Sequence, residues 1–253
     1  MEISSGKFLP IGVLAAGKGW LAVDKPAGIS VHNAPGRDIC SLAAAFIQTE
    51  PALSDQIDMD PDFGVNPVQR LDKETSGIML LAATPAAFRF YSKQFESRRV
   101  KKRYIAILHG RLEVPQGDDP WGTWRWTLAK TTGGRLNPEG AGKRQTGETR
   151  YRVLAHSVHY TMVEIELLTG RRHQIRRHAK LAGHPVVGDA RYGSIRAVKH
   201  LSRNFAFDRL ALHAYALTLL LPDGSAPQTI KTPAIPVQIR ELFDNDRKKV
   251  DLT

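Results

Sequence analysis

Cysteine is almost absent: Cys40 stands alone in 253 residues, so no disulfide can close within the chain and a reducing compartment is the simplest setting. Its place on the apolar run Cys40 to Ile47 reads as that of a small core residue. No Cys/His zinc spacing occurs either. His173 and His178 lie roughly 140° apart around a helix, so they share no face and no metal is expected. Nowhere does an apolar run reach about 18 residues, and Met1 to Pro10 lack a basic region followed by an apolar stretch. A soluble, cytoplasmic protein without a membrane partner is therefore expected. Internal repeats, heptads and low-complexity tracts are also missing, which argues against solenoids and fibres.

What is present is a core and a charge. Hydrophobic residues make up 42% of the chain, enough for one large domain or two small ones. Acids are outnumbered: 25 Asp and Glu face 36 Lys and Arg, a net charge of +11. Such a surplus favours a polyanionic partner, because phosphates attract Lys and Arg and release counterions on binding. A merely soluble basic protein is the other reading of charge alone.

Along the chain, Gly17-Lys-Gly19 precedes a strand from Trp20 to Val23 that runs through Asp24 into the turn Lys25-Pro-Ala-Gly28. Asp38 caps a helix carrying Ser41 to Ile47, and 51–67 reads as an acidic, turn-rich loop. Ile78 to Ala82 is a short strand. Thr84-Pro85 starts a helix continued by Ala87, Phe88, Tyr91 and Phe95. From Lys102 to Leu108 the period becomes two, with Lys102, Tyr104, Ala106 and Leu108 on one face. Residues 133–147 read as a mobile basic loop. Strands follow at 151–155 and 161–168, a helix over 172–182 that ends at Gly183, and a strand at 211–221. This irregular mixture favours α+β over a doubly wound sheet.

Three segments put charged groups where a simple core would not. In Arg70-Leu-Asp-Lys-Glu-Thr-Ser-Gly77, an extended start would point Arg70 and Asp72 the same way, and the cation could keep the carboxylate ionised. An ionised carboxylate can act as a nucleophile. Asp72 followed by Thr75 and Gly77 fits a helix cap or a turn equally well. In Arg98 to Tyr104, five basic residues accompany a ring, which suits a stacked base with phosphates alongside, or a solvated strand edge. Thr169 to His178 is a turn entering a basic helix start, against the helix dipole, so its cations serve a partner, an acidic neighbour or solvent. Arg172 and Arg176 would lie one turn apart on one helix face.

These segments together resemble the RluA family of pseudouridine synthases. The resemblance rests on Asp24-Lys-Pro-Ala-Gly-Ile-Ser-Val-His32, on Arg70 to Gly77, and on Lys102, Tyr104 and Ala106. It continues through Thr169 to Arg176, Gly183-His-Pro185, Gly188-Asp-x-x-Tyr-Gly193 and Leu212-His-Ala214, in family order from about Trp20 to Leu221. It implies Asp72 as the essential carboxylate, Tyr104 as the ring against the target uracil, and Arg176 as the cation paired with Asp72. Arg70 would help open the RNA or hold the flipped nucleotide, and Lys102, Arg172, His173, Gln174 and Leu212 would contact RNA. The family reaction detaches uracil, rotates it and rejoins it through a ring carbon, without cofactor or metal.

The implied fold is a single catalytic domain over 1–253. It is α+β, with a mixed, largely antiparallel sheet and flanking helices and loops around a central RNA-binding cleft. The partner would be ribosomal or transfer RNA, with no protein partner and a monomeric chain. Gln69 stands where many relatives have histidine, and Arg172 where threonine is usual; both bear on RNA preference rather than on a catalytic group. With Asp24 so near the start, the small N-terminal RNA-binding module of many relatives is not expected here. Recognition is then expected to rest on the catalytic domain, helped by Trp121, Trp124, Trp126 and the basic loop, although core or hairpin packing also explains those tryptophans. A non-catalytic RNA-binding protein is the alternative. An intact Asp72, Tyr104 and Arg176 set counts against it, since a binder needs no carboxylate beside phosphates.

Overall fold

A computed structural model of the chain describes residues 2–3 and 11–247; the rest of the leader reading on residues 1–10 lies outside the described residues. In chain order the elements are β1 (Glu2–Ile3), β2 (Ile11–Gly17), β3 (Trp20–Lys25), α1 (Ile39–Thr49), α2 (Pro51–Ile57), β4 (Asn66–Pro67), β5 (Ser76–Ala82) and α3 (Pro85–Glu96). Then come β6 (Lys101–His109), β7 (Gly122–Thr131), β8 (Ala141–His156), β9 (Tyr160–Leu167), α4 (Gln174–Leu181), α5 (Ile195–Phe205), β10 (Leu212–Leu219), β11 (Gln228–Lys231) and α6 (Val237–Arg247). The class is α+β. Two compact units share the chain: Met1–Lys101 with Ala214–Pro233, and Lys102–His213 with Ala234–Thr253.

In the first unit β5 neighbours β3 and β10, and is buried at every residue. A strand covered on both faces needs the near-continuous apolar run Ile78 to Ala82. β2, β3 and β5 pair antiparallel, and the register Lys25↔Gly77 brings the end of β3 beside the start of β5. Two loops, 26–38 and 68–75, therefore leave the same edge of this unit. The helices are fixed by their caps as expected: Asp38 accepts from the Ser41 N–H and Thr84 from the Ala87 N–H. Each such cap contributes about 1 kcal/mol. The loop expected over 51–67 is in part helix. Pro51 occupies its first turn, where no N–H is needed, and Leu53 and Ile57, one turn apart, are both buried.

In the second unit the order is β6-β9-β8-β7, all antiparallel. The expected basic loop 133–147 is largely the strand β8, paired to β7 from Gly122↔Tyr151 to Thr131↔Ala141. Only 132–140 is irregular. The sequence hides this strand because its first six side chains are all exposed, so no apolar alternation marks it. β7 does alternate: Trp124 and Leu128 are buried while Thr123, Arg125 and Thr127 are exposed. Trp124 stacks on Tyr151 with centroids 4.5 Å apart, and the edge of Trp126 meets His178 at 5.4 Å.

On the opposite face, Arg150 and Arg152 lie over the Trp121 ring at 5.2 and 5.3 Å. Arg150 pairs with Asp119, Arg152 with Glu164, and Arg103 with Glu164 and Glu166. These three arginines are thus balanced by carboxylates. α6 is anchored by Asp246, which accepts from Ser157 Oγ at 2.6 Å and from the His159 N–H at 2.8 Å.

The helix expected over 172–182 begins two residues later. His173 takes a left-handed conformation, φ 52, and helical geometry starts at Gln174. Arg172 is therefore outside the helix and does not share a helical face with Arg176.

Candidate active site

In the first unit the chain around Asp72 is held from behind. Lys25 ends β3 fully buried, and its ammonium donates to the carbonyls of Pro26 and Ile29 at 2.9 Å and of Lys73 at 3.1 Å. The Gly28 N–H also reaches the Lys73 carbonyl, at 2.8 Å, so the turn after β3 and the turn after Asp72 are stitched together. A further bond, Thr75 N–H to the Asp72 carbonyl at 3.0 Å, closes the second turn. Ammonium-to-carbonyl bonds are charge-assisted and stronger than neutral ones.

The side chains sort as an extended segment requires. Leu71 is buried, whereas Arg70 is exposed and Asp72 half-buried. Lys73 and Glu74 are exposed, and Thr75 and Ser76 turn inward. Gly77 is required by space: its φ is 115, and a Cβ there would collide with the backbone of Ala214. Gln69 donates to the Ile78 carbonyl at 3.2 Å. In the sequence Lys25 reads only as part of its turn and motif; its role in holding the two turns together was missed. A lysine closing a strand otherwise buried on both faces was the available signal.

In the second unit Tyr104 lies on β6 opposite Ile165 and is buried; Lys102 is half-buried. Arg176, 3% exposed, meets Asp189 in a two-point pair, Nε to Oδ2 at 2.8 Å and an Nη to Oδ1 at 2.9 Å. Asp189 also accepts the N–H groups of Arg191 and Tyr192 at 2.9 and 3.0 Å. The guanidinium lies 5.4 Å from the Tyr192 ring centre, and the Tyr192 hydroxyl is 3.0 Å from Nδ1 of His173. Burial pushes the Tyr192 hydroxyl's pKa up against the pull of Arg191, Arg177 and Arg176. Asp189 and Tyr192 thus orient Arg176 and His173. Their motif, Gly188 to Gly193, is visible in the sequence, but spacing alone assigns it no role.

Other residues of α4 are committed to the protein. The Gln174 amide accepts from Thr169 Oγ1 at 2.7 Å and the Arg171 N–H at 3.0 Å, and donates to the Glu148 carbonyl and Thr149 Oγ1 at 3.0 and 2.9 Å. It is buried and holds the 169–171 turn on β8. The Arg177 guanidinium is fully buried and donates to the carbonyls of Ala129, Pro138, Glu139 and Arg172. Burial and the Arg177 charge depress His178 to about 4, and burial with Arg209 depresses His213 to about 3, so both imidazoles are neutral. Leu212 is buried, whereas Arg172 is exposed and His173 half-buried. Among the described residues no three His, Cys, Asp or Glu side chains are grouped so as to hold a metal, and no helix is long and apolar enough to cross a membrane.

Residues 19–181 match the RNA pseudouridylate synthase family. The chain belongs to this family. Among relatives, an uncharacterized RNA pseudouridine synthase of Chloroflexus aurantiacus is 34% identical, covering 87% of this chain and 66% of that one. The ribosomal large subunit pseudouridine synthase D of Xylella fastidiosa is 32% identical, covering 93% of this chain and 69% of that one. The tRNA pseudouridine synthase C of Haemophilus ducreyi is 34% identical, covering 80% and 82%. Against the large-subunit synthase D of Neisseria meningitidis serogroup A, the chain spans only 58% of the relative's length. Human RNA pseudouridylate synthase domain containing 4 shares the synthase fold at TM-score 0.70 and 23% identity, covering 93% of each chain. Domain containing 1 does so at TM-score 0.67 and 23% identity, covering 88% of this chain and 83% of that one.

Proposed function

We propose that this chain converts uridines of structured ribosomal or transfer RNA into pseudouridine, with Asp72 as the catalytic carboxylate. The observation that carries this reading is the family match over residues 19–181, which takes in Asp72, Tyr104 and Arg176 within their motifs. In the reaction the glycosidic bond to nitrogen breaks, the uracil turns, and a bond to a ring carbon forms. Substrate and product are isomers, so no oxidant or co-substrate is consumed. Tyr104 would lie against the uracil, and Arg176, oriented by Asp189, would be the cation serving Asp72. Arg70, exposed beside Asp72, would hold the strand open while the base is out of its stack, a displacement costing a few kcal/mol. Lys102, Arg172 and His173 would contact the RNA, with Gln174 and Leu212 supporting them from buried positions.

Both units are assembled from separated stretches of chain and the family match spans parts of both, which supports the reading of one catalytic domain over 1–253; that it acts as a cytoplasmic monomer without cofactor, metal or protein partner is part of the same proposal. The relatives' printed names divide between ribosomal and transfer RNA. The test is incubation of wild type and Asp72→Asn with both RNA classes, followed by carbodiimide marking of pseudouridine. Wild type should form it and Asp72→Asn should not. Wild type that binds RNA and forms none on any cellular RNA would leave the non-catalytic binder as the correct reading.

A further inference from the structure

Within the second unit, the irregular segment between β7 and β8 is not the mobile loop its composition suggests. Arg177 holds it from beneath through the Pro138 and Glu139 carbonyls, and Arg191 holds it from the side through the carbonyls of Gly133 and Thr132 at 3.3 and 3.2 Å. Internal bonds add to these clamps: Asn137 N–H to the Gly134 carbonyl at 3.2 Å, and Gly140 N–H to Asn137 Oδ1 at 3.1 Å. Gly133 and Gly140 are so close to the backbone of Asn137 and Thr131 that neither has room for a Cβ. A segment held this way presents its tip in a fixed direction.

At that tip stands Leu136, 93% exposed. A lone exposed leucine means little by itself. This one lies in a cation-rich stretch of chain. Over 129–147 the chain carries Lys130, Arg135, Lys143 and Arg144 against one acid, Glu139, which Arg144 pairs at 2.6 Å. Arg191, which clamps the segment at Gly133 and Thr132, adds to them. The contrast with the face around Trp121 is direct, since the arginines there are matched by Asp119, Glu164 and Glu166.

We infer that the β7–β8 tip is an RNA wedge, in which Leu136 enters a base step while Lys130, Arg135 and Lys143 hold the flanking phosphates. An apolar side chain on a rigid, cationic mount is what unstacking requires. It replaces base-on-base contact with base-on-leucine contact, and the phosphate contacts offset the lost stacking. The wedge rests on RNA being the partner, but not on the isomerisation itself.

The test uses full-length protein and a short RNA stem-loop carrying 2-aminopurine at the steps flanking a loop uridine, with binding followed separately by anisotropy at low salt. Wild type at saturation should raise the fluorescence severalfold as the probe unstacks. Leu136→Ala should bind the stem-loop about tenfold more weakly and, once saturated, leave the fluorescence near that of free RNA. Leu136→Met should restore both. Neither variant should change the melting temperature, because the side chain packs against nothing. Binding of an unpaired uridine-rich strand should be unchanged, there being no stack to open. A full fluorescence rise with Leu136→Ala would overturn the wedge, as would an equal loss of affinity for the unpaired strand or a silent wild type. Wild type that unstacks the probe yet makes no pseudouridine in cellular RNA would instead remove the proposed activity and leave the wedge in place.

Discussion

The Asp72 turn and the α4 segment are both strongly charged motifs, and they use charge in opposite ways. Around Asp72 the main chain is held from inside by one buried ammonium, and the charged side chains at 70, 72, 73 and 74 are left half-buried or exposed. In α4 the charged and polar side chains are themselves the inside: Gln174, Arg176, Arg177 and His178 are all buried. One region leaves its charged side chains at or near the surface, whereas the other spends most of them on holding backbone carbonyls and Asp189. Charge in a motif therefore says nothing about which side of the surface it occupies until its hydrogen-bond partners are known.

The sharpest break of this comparison is Asp72→Asn. If the turn only presents a carboxylate, the swap should leave the melting temperature within about 0.5 kcal/mol of wild-type stability while pseudouridine formation falls at least about a thousandfold. Loss of folding together with activity would mean that the carboxylate is structural, like the groups of α4.

Next in size is Arg177→Met. Removing that guanidinium takes a donor from four carbonyls, of which that of Glu139 keeps the Ala129 N–H, so stability should fall by about 3–5 kcal/mol, read by urea denaturation. A loss below about 1 kcal/mol would show that water can replace the guanidinium, and the contrast between the two regions would weaken.

The same contrast explains what could be read from the sequence. Strands and helices with one apolar face were legible: Asp38 and Thr84 announced α1 and α3, and the alternation from Lys102 announced β6. The family motifs placed Asp72 within its turn, and Leu71 between Arg70 and Asp72 behaves as a period of two requires. What stayed hidden was burial of the polar kind. Arg177 and Lys25 look like surface residues by type, because such side chains are almost never fully buried unless paired. Their partners are backbone carbonyls, which every residue owns and no motif marks. Likewise the first half of β8 is held by its main-chain ladder to β7, so its exposed, polar side chains read as loop. Tertiary context supplied what local pattern could not.

The buried histidine of α4 gives a prediction in pH. His178 takes up a proton near 4 in the folded chain but near 6.5 when unfolded. Between these values the unfolded chain binds more protons, so stability is full above about 6.5 and declines as pH falls toward about 4, by up to about 3 kcal/mol. His213 acts with the same sign. Replacing His178 with Phe should remove its share of the slope, whatever it does to stability at neutral pH. Melting temperatures of both proteins across that window decide it. Parallel slopes would mean that His178 finds a proton-bonding partner in the folded state, and that the interior of α4 is less closed than its burial indicates.

The smallest effect should come from Arg172, the cation of this motif that lies before the helix and exposed, like the side chains of the Asp72 turn. Its carbonyl serves Arg177, but a substitution to alanine leaves that bond in place. Stability should therefore change by less than about 0.5 kcal/mol. If the side chain meets a phosphate, RNA affinity should fall modestly at low salt, and the slope of log affinity against log salt should flatten by about 0.7–0.9. Arg176→Ala, by contrast, should cost stability, since it leaves the buried Asp189 without its two-point partner. A flat response to salt in wild type would remove phosphate contact from both regions at once. An Arg172→Ala slope equal to wild type would remove it from this residue alone, leaving the exposed end of the motif as idle as its buried end is busy.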